Sequence, residues 1–119
     1  MIVEGQHGKA RYWGNYQVKK VAKLASPVLC HSRQVGEVEF MPTLVQLEWE
    51  IPPSSDNNEY WFPYWTRIGG KEKYGQFAPM IGKKALLQLL DEAIKKDFFD
   101  KQFLTDLATC IRTKLEALP

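Results

Sequence analysis

The chain is poor in cysteine and histidine and has no long apolar run. Cys30 and Cys110 are the only cysteines among 119 residues, which excludes a disulfide-dense scaffold and suits reduced thiols. His7, Cys30, His31 and Cys110 offer no paired spacing for zinc. Apolar runs end after a few residues, whereas a membrane-spanning helix needs about 20. The N-terminus, Met1 to Lys9, lacks both the basic start and the apolar block of a signal peptide. These absences predict a cytoplasmic protein with no membrane partner, and nothing in the pattern calls for a cofactor. Internal repeats and low-complexity tracts are absent as well.

What is present suits one globular domain over residues 1–119. The length matches a common domain size, with 45% hydrophobic and 25% charged residues. The net charge of +2 conceals three blocks. Residues 5–33 carry six basic side chains and no acid, and residues 34–59 carry six acids and neither lysine nor arginine. Five basic residues against one acid follow in residues 60–84. Such blocks are either complementary surfaces within one fold or patches shown to partners.

Hydrophobic periodicity outlines an α+β fold: an antiparallel β-meander of about three to five strands, then a C-terminal antiparallel helix pair packed on one sheet face. A short strand is expected at Ala10 to Trp13. Residues 15–25 read equally as a helix capped by Asn15 and as a strand. Val38 and Phe40 alternate with Glu37 and Glu39, and Gly36 marks the start or a bulge of that strand. After Met41-Pro42 a second strand sets Val45, Leu47, Trp49 and Ile51 against Gln46, Glu48 and Glu50. Residues 52–58 form a polar loop. Past Pro79 the period lengthens to 3.6. Gly82 to Lys96 forms a helix with Leu86, Leu87, Leu90, Ala93 and Ile94 as its buried stripe. Asp100 caps a second helix lined by Phe103, Leu104, Leu107, Ile111, Leu115 and Leu118, with Cys110 buried.

The stretch from Glu59 to Gln76 holds six of the fifteen aromatics and the only Gly-Gly pair. Gly69-Gly70 supplies the positive φ angles of a two-residue hairpin turn. That turn sets Ile68 opposite Lys71, Arg67 opposite Glu72, Thr66 opposite Lys73, Trp65 opposite Tyr74, Tyr64 opposite Gly75 and Phe62 opposite Phe77. With Phe62, Ile68 and Phe77 inward, Trp61, Trp65, Arg67, Lys71, Lys73 and Tyr74 become the candidate binding surface. Rings beside cations form a platform for the bases of a single-stranded nucleic acid. The leading expectation is therefore a binding or accessory module, not an enzyme, whose ligand is a protein or single-stranded nucleic acid.

Other readings have less support. Gly69-Gly70-Lys71 lacks the spacing of a phosphate loop. Glu37, Glu39, Glu48 and Glu50 would suit a small metal-dependent hydrolase or nuclease if adjacent strands brought them together. The same acidic face could mimic nucleic acid in an inhibitor. Cys30 and His31, as neighbours on an extended strand, point to opposite faces and cannot act as a dyad. A structural or self-associating role is the remaining alternative.

Overall fold

The computed structural model describes residues 2–52, 58–75 and 81–119. Its elements are β1 (His7–Ala10), β2 (Gly14–Lys23), β3 (Val28–Ser32), β4 (Gly36–Trp49), β5 (Asn58–Trp61), β6 (Tyr64–Ile68), β7 (Lys71–Tyr74), α1 (Lys83–Lys95) and α2 (Lys101–Ala117). The expected α+β order of strands then helices is what the chain adopts. The described residues hold seven strands, more than the expected three to five, and these form a strongly curled antiparallel sheet.

One strand organises the sheet. The 14 residues of β4 merge the two strands expected on either side of Met41-Pro42. The C-terminal half of β4 pairs with β2 and β5, and its N-terminal half with β3 and β6. A proline lies where each set of strands changes partners: Pro27 between β2 and β3, Pro42 within β4, and Pro63 between β5 and β6. Proline has no amide hydrogen to give a ladder and so marks breaks and bends in pairing. The Thr43 N–H donates to the Pro63 carbonyl at 2.9 Å, which carries the pairing across the crease.

The ambiguity over residues 15–25 resolves as strand β2. Its register shifts between Val18 and Lys20, the mark of a β-bulge. The extra residue places Val18 and Val21, three apart, in the same core cluster. That spacing imitates a helical period, and antiparallel pairing with β4 decides against a helix.

The sheet is packed on both faces. On one, Val18, Val21, Val45, Leu47 and Trp65 are buried together with Ile2, flanked by Tyr16, Met41, Trp49 and Trp61. On the other, Ala22 and Leu44 meet Leu89, Ala93 and Phe98, with Leu24, Phe62 and Phe99 alongside. The charge blocks are complementary inside the fold: Lys19 of β2 pairs with Glu48 of β4 at 3.5 Å, and Arg67 of β6 with Glu39 of β4 at 2.9 Å.

The helices follow the expected boundaries but present different faces. Helix α1 buries Ala85, Leu89 and Ala93. Leu86, Leu87, Leu90 and Ile94, expected inward with Ala93, are exposed. Small residues at 85 and 93 let the helix backbone approach β2 and β4 closely, and Leu89 fills the space between them. The end of α1 is a Schellman motif: the Asp97 N–H donates to the Ile94 carbonyl and the Phe98 N–H to the Ala93 carbonyl, each at 3.1 Å. Asp97 takes the left-handed conformation, with φ of 59°, and Phe98 turns into the core. The Lys96 ammonium donates to the Val21 carbonyl at 3.1 Å, fastening this end to the sheet.

Asp100 caps α2 as expected, its Oδ1 accepting from the Phe103 N–H at 2.8 Å. The expectation of an antiparallel pair packed on the sheet does not hold for α2, which has no buried residue. Cys110, expected in that interface, is exposed. The Schellman turn redirects the chain into α2, where Phe103 stacks on Phe99 at 4.5 Å and Leu104 and Leu107 are half-buried, while Ile111, Leu115 and Leu118 are exposed.

Candidate functional site

The aromatic hairpin forms in the expected register. Trp65 opposes Tyr74, Thr66 opposes Lys73, Arg67 opposes Glu72 and Ile68 opposes Lys71. Gly69 and Gly70 have φ of 56° and 81°, values open to glycine without steric cost. The Gly75 N–H donates to the Tyr64 carbonyl at 2.9 Å. The Tyr64 ring covers Gly75 so closely that a Cβ there would collide with it, the aromatic repair of a strand glycine. The Phe62–Phe77 pair involves a position outside the described residues.

The six candidate residues separate into different roles. Trp65 is 8% exposed and belongs to the core, so its ring is not part of a surface platform. Ile68, expected inward, is exposed instead. Arg67 reaches both Glu39 and Glu72, at 2.9 and 3.6 Å. Lys71 and Lys73 are exposed on β7. Tyr74 packs edge-on against Trp65, with ring centroids 5.7 Å apart, and lies 6.1 Å from Trp61. Partial burial, then the neighbouring phenols of Tyr16 and Tyr64, raise the Tyr74 hydroxyl above its ordinary pKa of 10.0. The folded state therefore holds that proton more tightly than the unfolded chain. This contribution to stability is intact below about pH 10 and is lost as pH rises through the folded value. Urea unfolding followed from neutral to alkaline pH should show a steeper loss above about pH 10 in the parent than in Tyr74→Phe.

Trp61 faces a cleft instead. The cleft has a volume of about 540 Å³ and is lined by Lys9, Ala10, Trp13, Tyr16, Leu47, Trp49, Glu59, Tyr60 and Trp61. That volume lies within the range of small-ligand sites. Pairing register explains its composition. Tyr16 opposes Trp49 across β2 and β4, and Leu47 opposes Glu59 across β4 and β5, so alternation puts these side chains on the Val45 face. The rings of Tyr16 and Trp49 meet edge to face at 5.4 Å. Gly8, opposite Tyr16, leaves room for that ring to lie over the β1 backbone, and any Cβ there would strike it. The β1–β2 turn adds Trp13 and, beside it, Arg11 stacked 5.3 Å over the Tyr12 ring.

One polar group in this aromatic wall is unmatched. The Trp49 indole N–H is buried and meets no acceptor. An indole N–H is a donor only, and leaving a buried donor unpaired costs about 1–3 kcal/mol. Among the buried side-chain polar atoms of the described residues, it alone lacks a partner.

The four glutamates do not converge. All derive from one strand and its end, with Glu39 and Glu48 nine residues apart on β4, a separation of about 30 Å at the usual rise. Glu39 holds Arg67, Glu48 pairs with Lys19, and Glu50 accepts from Asn15 Nδ2 at 2.9 Å. Among the described residues no cluster of three or more His, Cys, Asp or Glu side chains could hold a metal ion. Among them, too, no helix is long and apolar enough to cross a membrane. Cys30 and His31 lie side by side on β3, both exposed.

Sequence reasoning placed Trp61 in the site but missed Trp13, Tyr16 and Trp49. The only available signal was the β2–β4 register, which the ambiguity at residues 15–25 concealed. No protein-family model matches the chain, and no curated protein or solved structure shows a match to it.

Proposed function

We propose that the protein is a binding module whose aromatic cleft receives a planar heteroaromatic group, a nucleobase of a nucleotide or of a single-stranded nucleic acid. The observation that carries this reading is the aromatic wall of the cleft, built by Trp13, Tyr16, Trp49, Tyr60 and Trp61. A base offers a π-face to the rings of Trp49, Trp61 and Trp13. Aromatic stacking contributes about 1–3 kcal/mol per base. Lys9 lines the cleft and Arg11 neighbours it in the chain, placing cations where phosphates of the same ligand need them. The exposed Lys71 and Lys73 next to Tyr74 extend the basic surface beyond Trp61.

Quenching of tryptophan fluorescence by mononucleotides and short single-stranded oligonucleotides at low salt tests the reading. Trp61→Ala should weaken binding by about 1–3 kcal/mol. Trp49→Phe keeps an aromatic ring in the wall and should weaken binding less than Trp61→Ala does. Absence of binding tighter than about 10⁻⁴ M, the weak end of non-specific association, would refute the nucleobase reading.

A further inference from the structure

Glu59 stands apart from the rest of the cleft wall. Among the described residues that line the cleft, Glu59 is the one carboxylate and Lys9 the one cation, and the others are aromatic or aliphatic. Pairing explains its place. Glu59 lies opposite Leu47 and Trp61 opposite Val45 across β4 and β5, and Val45 and Leu47 belong to the core cluster on that face. Alternation therefore turns Glu59 and Trp61 to the same side of β5, about 7 Å apart along the strand. Trp49, two residues beyond Leu47 on β4, is the diagonal neighbour of Glu59 on this face, about 7–8 Å away. The half-buried carboxylate is thus flanked by two tryptophans, and a planar group stacked on either ring turns an edge toward it.

We infer that Glu59 reads the bound base and that this base is guanine, an inference that rests on the nucleobase reading of the cleft. An ionised carboxylate only accepts hydrogen bonds, through two oxygens with about four acceptor positions. Its paired oxygens match two neighbouring donors on one rigid group, as they do with a guanidinium. Guanine presents such a pair on one edge, its ring N–H beside its exocyclic amine. Adenine and cytosine present an amine beside a ring nitrogen that is itself an acceptor, and uracil flanks its one N–H with two carbonyls. Each of these sets an acceptor against the carboxylate, so guanine alone forms both bonds without a repulsive contact. Unstacked bases are recognised in this way, with their faces on aromatic rings and their Watson–Crick edges hydrogen-bonded. Bonds to an ionised acceptor are about twice as strong as neutral ones. A site built to bond a ligand N–H rejects an analogue that lacks it.

Tryptophan quenching by the monophosphates of guanosine, inosine, adenosine, cytidine and uridine is the test. Inosine is the most informative, because it keeps the ring N–H and stacking surface of guanosine and lacks the amine. On the parent chain the guanosine nucleotide should bind tightest, the inosine nucleotide about tenfold more weakly, and the other three more weakly still. Glu59→Gln changes little in size at a half-buried position, so the fold should be retained, which circular dichroism checks. The amide offers one acceptor oxygen and a donor group in place of two acceptors, so this variant should lose the guanosine preference while it still stacks the bases. Equal binding of the guanosine and inosine nucleotides, a preference for another base, or a guanosine preference that survives Glu59→Gln would overturn the inference and leave the nucleobase reading in place. Quenching by none of the five would remove both.

Discussion

Replacing Trp65 by alanine is expected to lower the free energy of unfolding by about 3–5 kcal/mol, the range for removing a buried aromatic ring. The same change at Trp61 should fall mainly on ligand binding. Both tryptophans come from one aromatic stretch, and their difference follows from position. Trp65 sits on β6 opposite Met41 and inside the cluster formed by Val18, Val21, Val45 and Leu47. Its truncation also removes an edge-to-face contact with Tyr74, a geometry worth about 0.5–1.5 kcal/mol beyond area. A domain of this kind is stable by only about 5–15 kcal/mol in total, so a large fraction of the native margin depends on this ring. Urea denaturation of the two variants separates the roles, and a Trp65→Ala protein as stable as its parent would show that the ring is dispensable to the core.

Leu89→Ala is expected to cost about 2–5 kcal/mol, and Leu87→Ala less than about 0.5 kcal/mol. Leu89 has no exposed surface and sits among Ala22, Leu44, Ala93 and Phe98, whereas Leu87 is 69% exposed. Truncating Leu89 opens a cavity between α1 and the sheet that flanking alanines cannot fill. Thermal or urea unfolding of both variants tests which face of α1 meets the sheet. Equal losses would indicate that Leu87 is buried too.

These two leucines mark where periodicity stops being informative. Helix α1 has apolar residues around most of its circumference, at 85, 86, 87, 89, 90, 93 and 94. An apolar stripe can be read from such a sequence, but two candidate stripes cannot be ranked by hydrophobicity. The sheet chose the one with alanines because a close helix–sheet approach requires small side chains at the contact. Cys110 and the α2 stripe went astray for a related reason: amphipathic spacing shows that a face is apolar, not that the fold buries it.

The aromatic site shows the same division. The Gly69-Gly70 turn determined its hairpin register locally, since two positive φ angles permit few strand geometries. That settled the pairs from Ile68–Lys71 to Tyr64–Gly75, but not which side of the ribbon faces the core. Burial of Trp65 depends on Met41 and on the crease of β4 at Pro42, contacts 24 residues away in sequence.

By itself the sequence determined the α+β order, the hairpin register, the helix boundaries and the Asp100 cap, all of which rest on turn chemistry and neighbours a few residues apart. Tertiary structure alone decided that residues 14–23 are a bulged strand, that β4 is one bent strand dividing its glutamates between two ends, and that Tyr16 meets Trp49 and Trp61 in a cleft. Each of these depends on pairing between segments distant in the chain, where the favourable contact is made only after the loop between them has closed, and no local pattern records that contact.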